Sequence, residues 1–269
     1  MNAARLQRAL ASLLADDGSL ADIAVFDELD STSTYLGNQP PPNIDAAHAV
    51  LALHQTAGRG RRGKTWKAPA GSGLFLSIAY TYREMPREAA ALTLAIGVAV
   101  ARALERIGAG EIMLKWPNDL VWQDRKLGGI LVESNLRADG RFVIVAGVGI
   151  NMALPADFTL SAESTSWAKG AVDLAHAGVT PGHAALAREV IPEVVNCLAS
   201  FPDTDLAQTI ASFNRRHWLL ERAATLDKRM VRCDAVCDDG RLRVVDMLNG
   251  SVHDIDSADV VPLAWSDPS

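Results

Sequence analysis

Apolar residues recur along the first half of the chain at two spacings, and each spacing predicts a different kind of element. Leu6, Leu10, Leu13 and Leu14 share one face of a predicted N-terminal helix. A long, alanine-rich apolar run predicts a buried helix over 88–106. Shorter apolar runs predict β-strands over 23–28, 47–54, 74–80 and 111–115.

The second half alternates between strand-like and helix-like patterns. Ala138-Asp139-Gly140 separates two apolar runs and predicts a hairpin. Further strands are predicted over 120–123, 127–136 and 141–149, and helices over 163–175, 182–200 and 205–217.

From about residue 221 the pattern changes to short β-like runs. Asp239-Gly240 and Asn249-Gly250 are typical hairpin turns between them. The pattern predicts a main domain of mixed α and β structure over 1–220 and a small β-barrel domain over 221–269.

The composition is that of a globular protein, with 49% hydrophobic and 22% charged residues. The longest apolar run, 89–100, is too short to span a bilayer, so no membrane association is expected. Three cysteines without zinc-like spacing favour a reducing, cytoplasmic location.

A local cationic loop stands out against the net charge of −6. The stretch 58–67 has five cationic residues and three glycines, and no acid lies between Asp45 and Glu84. Glycines allow backbone N–H groups to approach a phosphate, and arginines can pair with its oxygens. The loop therefore predicts a site for a specific anion. Nucleic-acid binding is the weaker alternative, because the chain as a whole is acidic.

Four polar groups of residues lie at or near predicted strand ends and are expected to converge on one pocket if the strands form one sheet. Ser31, Thr32 and Gln55 offer neutral donors and acceptors that suit an amide or urea group, although Ser31 and Thr32 are also typical helix caps. Asn118 and Asp119 offer oxygen ligands for a magnesium ion that bridges phosphates, although Asp119 is equally typical of a turn. With the cationic loop and Lys126, such a pocket suits the activation of a carboxylic acid by a nucleotide, since both reactants are anions.

Taken together, these stretches resemble biotin protein ligase, also called biotin–[acetyl-CoA-carboxylase] ligase. The resemblance covers about residues 25–155. The motifs that carry it are Asp30-Ser31-Thr32, Gln55, Gly58-Arg59-Gly60-Arg61-Arg62-Gly63, Trp66, Lys115-Trp116-Pro117-Asn118-Asp119, Lys126-Leu127-Gly128-Gly129-Ile130-Leu131-Val132-Glu133 and Gly147-Val148-Gly149-Ile150-Asn151-Met152. The resemblance implies an α+β fold: a class II synthetase-like mixed sheet flanked by helices, with a small C-terminal SH3-like β-barrel.

The same resemblance implies an enzyme that makes biotinyl-5′-AMP from biotin and ATP with Mg²⁺, and then passes biotin to a lysine of a biotin carboxyl carrier protein. Lys126, Arg61 and Asp119 would be catalytic, with Asn118 and Asp119 beside the metal and phosphates. The implied substrate-binding residues are Ser31, Thr32, Gln55, Gly58, Arg59, Gly60, Arg61, Arg62, Gly63, Trp66, Lys115, Asn118, Lys126, Gly128, Gly129 and Asn151.

Two positions depart from the pattern: Ser33 stands where asparagine is usual, and Lys64 where arginine is common. Some family members carry an N-terminal helix-turn-helix domain, and the roughly 20 residues before the matched region are too few to make one. We therefore expect no operator binding. The alternatives are a lipoate or octanoate ligase or transferase of the same fold and a non-catalytic biotin-binding regulator. A homodimer is a possibility that the sequence leaves open.

Overall fold

A seven-stranded mixed sheet forms the centre of the larger part of the chain. The computed structural model describes residues 2–15, 19–160 and 169–263. The strands of this sheet are β1 (Leu20–Phe26), β2 (Ala47–Ala52), β3 (Gly73–Tyr82), β4 (Met113–Lys115), β5 (Asp119–Trp122), β6 (Arg125–Leu136) and β7 (Phe142–Asn151). Their order is β1-β2-β3-β7-β6-β5-β4, and only β1 and β2 pair in parallel.

Helices cover the sheet because both of its faces carry apolar side chains. The helices are α1 (Ala3–Leu10), α2 (Thr32–Asn38), α3 (Leu92–Arg106), α4 (His183–Ser200) and α5 (Leu206–Asn214). α3 contacts α4, α5 and β6, and its many buried alanine and valine residues allow this close packing. α2 lies against β2, β3 and β7, where Leu36 packs with Val50, Ala79 and Val145. All ten residues of β3 are buried, so the core lies around this strand.

A second, antiparallel sheet follows in the chain. It contains β8 (Ala223–Leu226), β9 (Arg229–Val236), β10 (Leu242–Asp246), β11 (Val252–Ile255) and β12 (Val261–Pro262), in the order β11-β10-β9-β8-β12. The predicted α+β architecture, with a mixed main sheet and a small β unit after it, is confirmed. The domain boundary at 220/221 stays a prediction. Within the described residues, no helix has both the length and the apolar character that a membrane crossing requires.

One predicted helix is wrong over the part that the structure describes. Residues 163–168 of the predicted helix 163–175 lie outside the described residues, and 169–175 form no helix. Instead, Lys126 N–H donates to Gly170 O at 3.1 Å, and Val172 N–H donates to Lys126 O at 2.9 Å. The backbone of this segment is therefore paired with β6 and is not available for helical hydrogen bonds.

Two other helices are shorter than predicted. The predicted helix 88–106 begins only at Leu92, because Glu88 has a positive φ of 54° and a 3₁₀ turn, Ala89–Ala91, intervenes. The predicted helix 205–217 ends at Asn214, and the chain then pairs with β4 through His217 and Leu114.

Candidate active site

One pocket collects residues from α2, the cationic loop, the 115–119 corner, strands β3, β6 and β7, and the segment at 258–259. The predicted site residues that line it are Thr32, Gln55, Arg59, Gly60, Arg61, Arg62, Trp66, Lys115, Asn118, Asp119, Lys126, Gly129 and Asn151. Four predicted residues do not line it: Ser31, Gly58, Gly63 and Gly128. The convergence expected from the strand ends is confirmed as geometry, while the chemical roles stay predictions.

The neutral end of the pocket is a chain of hydroxyl and amide groups. Gln55 Oε1 accepts hydrogen bonds from the Thr32 backbone N–H at 2.8 Å and from Thr32 Oγ1 at 3.1 Å. Ser77 Oγ lies 2.7 Å from Thr32 Oγ1 and 2.9 Å from Ser33 Oγ. Because these groups already orient one another, they form a preorganised set of donors and acceptors for an uncharged polar ligand.

Ser31 supports this end without lining it. Its Oγ accepts from the Thr34 N–H at 3.4 Å, and Ser31 is the N-cap residue of α2. The helix-cap alternative noted from the sequence is therefore what its side chain does in this structure.

The cationic loop folds back on itself in a tight turn. Gly60 N–H donates to Lys64 O at 2.7 Å, and the turn between them is a 3₁₀ helix over Arg61–Gly63. Arg62 lies in the left-handed region at φ 56°, and Gly63 follows at φ 75°. A Cβ built on Gly63 would meet no atom within 4 Å. Gly63 therefore contributes through its backbone conformation, which glycine adopts without strain.

Arg59 is not free to face a phosphate as expected from the sequence. Its guanidinium donates to both carboxylate oxygens of Glu133, at 2.9 and 2.7 Å. A two-point pair of this kind fixes the orientation of the guanidinium and offsets its charge. Arg59 therefore anchors the loop to β6, and phosphate binding by the other cationic residues of the loop stays a prediction.

The segment between β11 and β12 contacts the loop directly, which the sequence did not indicate. Arg61 donates to Ser257 Oγ at 3.0 Å, and Lys64 Nζ lies 2.5 Å from Asp259 Oδ2. Burial lowers the pKa of Arg61, while the charge of Asp119 acts in the opposite direction. The pocket is thus closed on one side by residues about 195 positions later in the chain.

Lys126 and Asp119 form an ion pair in the pocket. Their Nζ–Oδ1 distance is 2.8 Å, and the side chains are 17% and 10% exposed, respectively. Lys115 is buried, and burial lowers its pKa, an effect that the charge of Asp119 opposes. Asp119 thus lies beside two lysines in a largely buried part of the pocket, where water screens the charges only weakly.

Trp66 packs on two glycines that pair across β6 and β7. A Cβ on Gly149 would lie 2.9 Å from Trp66 Cε2, and one on Gly129 would lie 3.3 Å from Cζ3. The Nζ of Lys126 lies 5.4 Å from the centroid of the indole ring, within cation–π range. The glycines therefore admit the indole, and the indole in turn sits beside the predicted catalytic lysine.

Two asparagines hold the backbone around the site. Asn118 Nδ2 donates to Ile130 O at 2.9 Å, which ties the 115–119 corner to β6. Asn151 Nδ2 donates to Val172 O at 2.9 Å and to Lys126 O at 3.3 Å. In both side chains the amide nitrogen is used internally.

Sequence reasoning missed several lining residues, among them the polar residues Ser77, Ser33 and Asp259. Ser77 lies inside an apolar strand, and only its register against β7 brings it to the pocket. Ser33 was set aside as a departure from the family pattern, yet the hydrogen bond to Ser77 places it at the neutral end. Asp259 could not be inferred from the sequence, because its place in the pocket depends on how the segment between β11 and β12 packs against the cationic loop.

A magnesium ion was expected between Asn118, Asp119 and the phosphates. In the described ranges, no group of three or more histidine, cysteine, aspartate or glutamate residues could hold a metal. Asp119 lines the pocket and offers one carboxylate. That donor set suits an ion held through one carboxylate plus substrate phosphates, and not a protein cage.

Comparison with solved structures defines the class of fold. Biotin protein ligase from Aquifex aeolicus, solved in complex with biotin and ATP, superimposes with a TM-score of 0.71 at 22% identity, over 91% of this chain and all of that one. Biotin protein ligase from Leishmania major, in complex with biotin, gives a TM-score of 0.60 at 24% identity, over 90% of this chain and all of that chain. The chain therefore has the biotin protein ligase fold, as the sequence predicted.

The chain is also similar to known proteins at the level of sequence. The chain is 36% identical over 211 residues to the bifunctional ligase/repressor BirA of Escherichia coli, covering 78% of this chain and 63% of that protein. It is 35% identical over 118 residues to biotin–[acetyl-CoA-carboxylase] ligase of Paracoccus denitrificans, covering 42% of this chain and 47% of that protein. Thus the chain spans a little less than two thirds of the length of the BirA proteins. Residues 25–151 match the model of the Biotin/lipoate A/B protein ligase family.

Proposed function

We propose that this protein activates biotin with ATP to biotinyl-5′-AMP and transfers the biotin to a lysine of a biotin carboxyl carrier domain. The observation that carries the proposal is one pocket with a neutral hydrogen-bonding end, a cationic wall and an amine–carboxylate pair. Biotin has a neutral ureido ring and a carboxylate, so its two ends match different parts of this pocket.

The neutral end suits the ureido ring. Thr32, Ser33, Ser77 and Gln55 offer hydroxyl and amide groups, and their mutual hydrogen bonds hold them in place before a ligand binds. A urea presents one acceptor and two donors, which such a set can satisfy. Unpaired polar groups in a buried site would reject a ligand that lacks these atoms.

The cationic wall suits the reacting end. In the first step, a biotin carboxylate oxygen attacks the α-phosphorus of ATP, and pyrophosphate leaves. Both partners are anions, so Lys126, Arg61 and Lys64 lower their repulsion and stabilise the charge that develops in the transition state. Lys126, held between Asp119 and the Trp66 ring, would contact the carboxylate.

In the second step the ε-amine of the acceptor lysine attacks the acyl carbon, and AMP leaves. The amine must lose a proton, and we assign Asp119, one of two aspartates among the described residues that line the pocket, to orient the amine or accept that proton. None of Cys197, Cys233 and Cys237 lines the pocket, so the proposed route uses no acyl-cysteine intermediate. Mg²⁺, if held by Asp119 and the phosphates, supplies charge neutralisation.

The relatives support this proposal. The family that matches residues 25–151 includes biotin and lipoate ligases, and the Aquifex aeolicus neighbour was solved with biotin and ATP. The family name also covers the lipoate alternative, so the test includes that substrate.

The test is ATP–pyrophosphate exchange by the purified chain, with biotin, lipoate or octanoate as the acid. We expect exchange with biotin and little with the other two. Transfer of labelled biotin to a carrier domain should follow, and a carrier whose acceptor lysine is replaced by arginine is the matched control. Exchange with lipoate alone would establish the lipoate ligase alternative, and biotin binding without exchange would establish the non-catalytic regulator.

A further inference from the structure

The turn between β5 and β6 lies outside the pocket, yet its aspartate joins several separate segments. Asp124 Oδ1 accepts from Trp218 Nε1 at 2.6 Å and from Arg222 at 3.3 Å, while Oδ2 accepts from Lys169 at 3.0 Å. The Arg222 guanidinium also stacks over the Trp218 ring, with 4.6 Å to the centroid. We call the four residues Asp124, Lys169, Trp218 and Arg222 the Asp124 clasp.

The clasp lies next to the backbone that carries the predicted catalytic lysine. Lys126 follows Asp124 by two residues, and its N–H and C=O pair with Gly170 and Val172. Lys169 immediately precedes the paired glycine. The Asp124–Lys169 contact therefore closes the end of a short ladder in which Lys126 is the central residue.

The same clasp reaches the second buried lysine of the pocket. The backbone N–H of Trp218 donates to Leu114 O at 2.8 Å, and the backbone N–H of Leu114 donates to Arg216 O at 2.7 Å. Leu114 is followed by Lys115, which lines the pocket. One carboxylate thus connects the strand ends that bear Lys126 and Lys115.

We propose that Asp124 is a positioning residue, which sets Lys126 for attack of the biotin carboxylate on ATP through the Asp124 clasp. The role rests on the function proposed above. Asp124 does not line the pocket. Its effect is on the placement of an amine, and a misplacement of about 1 Å in a site of this kind costs on the order of 100-fold in rate.

Two variants perturb the clasp in different ways. Asp124→Ala removes all three contacts, and Trp218→Phe removes the indole N–H while keeping an aromatic ring. Asp139→Ala is the matched control, because Asp139 occupies the turn at the other end of β6 and pairs only locally with Arg141. Asp124→Asn retains an acceptor for Trp218 and should restore part of the loss.

We measure biotin-dependent exchange per biotin-binding site, so that an unfolded fraction does not lower the apparent rate. Asp124→Ala should lower kcat on the order of 10- to 100-fold with biotin affinity within about twofold of wild type. Trp218→Phe should lower kcat less, and the double variant should be no slower than Asp124→Ala, since the two groups act through one contact. Asp139→Ala should stay within about twofold.

A second readout does not depend on enzyme activity. The rate at which a small amine reagent labels Lys126, followed by mass spectrometry, should change severalfold in Asp124→Ala and Trp218→Phe but not in Asp139→Ala. If wild type shows no exchange but this labelling pattern holds, the proposed function fails, and what stands is that the Asp124 clasp places Lys126. If the folded clasp variants label Lys126 at the wild-type rate and keep kcat within about twofold of wild type, the positioning role of Asp124 is overturned. If Asp124→Ala does not fold, Asp124→Asn and Trp218→Phe decide by the same criteria.

Discussion

Substitution of Gly149 by alanine should press directly on Trp66. The added Cβ would lie 2.9 Å from Cε2 and 3.0 Å from Cζ2 of the indole. Carbon atoms pack best at about 3.5–4.0 Å, so the ring must move by roughly 0.5–1 Å. Overpacking of this size costs about 1–3 kcal/mol of the free energy of unfolding. Alanine also restricts the unfolded chain, which offsets about 0.5–1 kcal/mol.

The assay is a double-mutant cycle by urea unfolding. Gly149→Ala should destabilise the wild-type background by about 1–2 kcal/mol and should be neutral or stabilising in a Trp66→Ala background, where the ring is absent. Gly37→Ala is the control, because a Cβ there meets no atom within 4 Å. The displaced ring should also alter the Lys126 contact and lower exchange activity. An equal cost of Gly149→Ala in both backgrounds would refute the steric reasoning.

Three further predictions concern single side chains. Lys126→Ala should lower biotin-dependent exchange by about 100-fold or more, because it removes charge stabilisation in the transition state. Calorimetry should show that biotin binding is retained, and the exposed Lys228→Ala is the control. Unchanged pyrophosphate release would rule out the catalytic role of Lys126. Arg61→Gly should release biotinyl-AMP about tenfold faster or more in a filter-binding chase, since the loop loses its contact with Ser257 between β11 and β12. Release at the wild-type rate would exclude a closing loop. Burial lowers the pKa of His217 to about 4, against about 6.5 unfolded, so folding favours its neutral form. Stability from this residue is therefore complete above pH 6.5 and is lost as the pH falls towards 4, by about 3 kcal/mol. His217→Leu should flatten this part of the stability profile in chemical unfolding, and a profile as steep as that of wild type would contradict the assignment.

Local signals explain which parts of the fold and site the sequence predicted. The cationic loop was recognisable because its glycines and arginines are adjacent in the chain and need no tertiary information. The strands were found because apolar runs of five to ten residues mark a sheet with both faces covered. Convergence on one pocket followed from placing polar residues at strand ends.

The failures share a tertiary cause. The segment 169–175 has helix-compatible residues, but its N–H and C=O groups pair with Lys126, which no local periodicity reports. Ser77 is indistinguishable from its apolar neighbours until its strand partner is known, and Glu133 captures Arg59 from 74 positions away. Propensity is a weak prior wherever long-range pairing decides the outcome.

The contacts of Arg61 with Ser257 and of Lys64 with Asp259 also bear on how the protein is made. Residues 257–259 leave the ribosome only after every strand of the seven-stranded sheet has been synthesised. The larger sheet can therefore fold first, as domains generally do during synthesis, but its pocket then lacks one wall. A ligand that needs this wall cannot stabilise the nascent sheet, since binding adds stability only to the state that holds the ligand. Retention of the proposed biotinyl-AMP would therefore require the segment 257–259 to be in place against the loop.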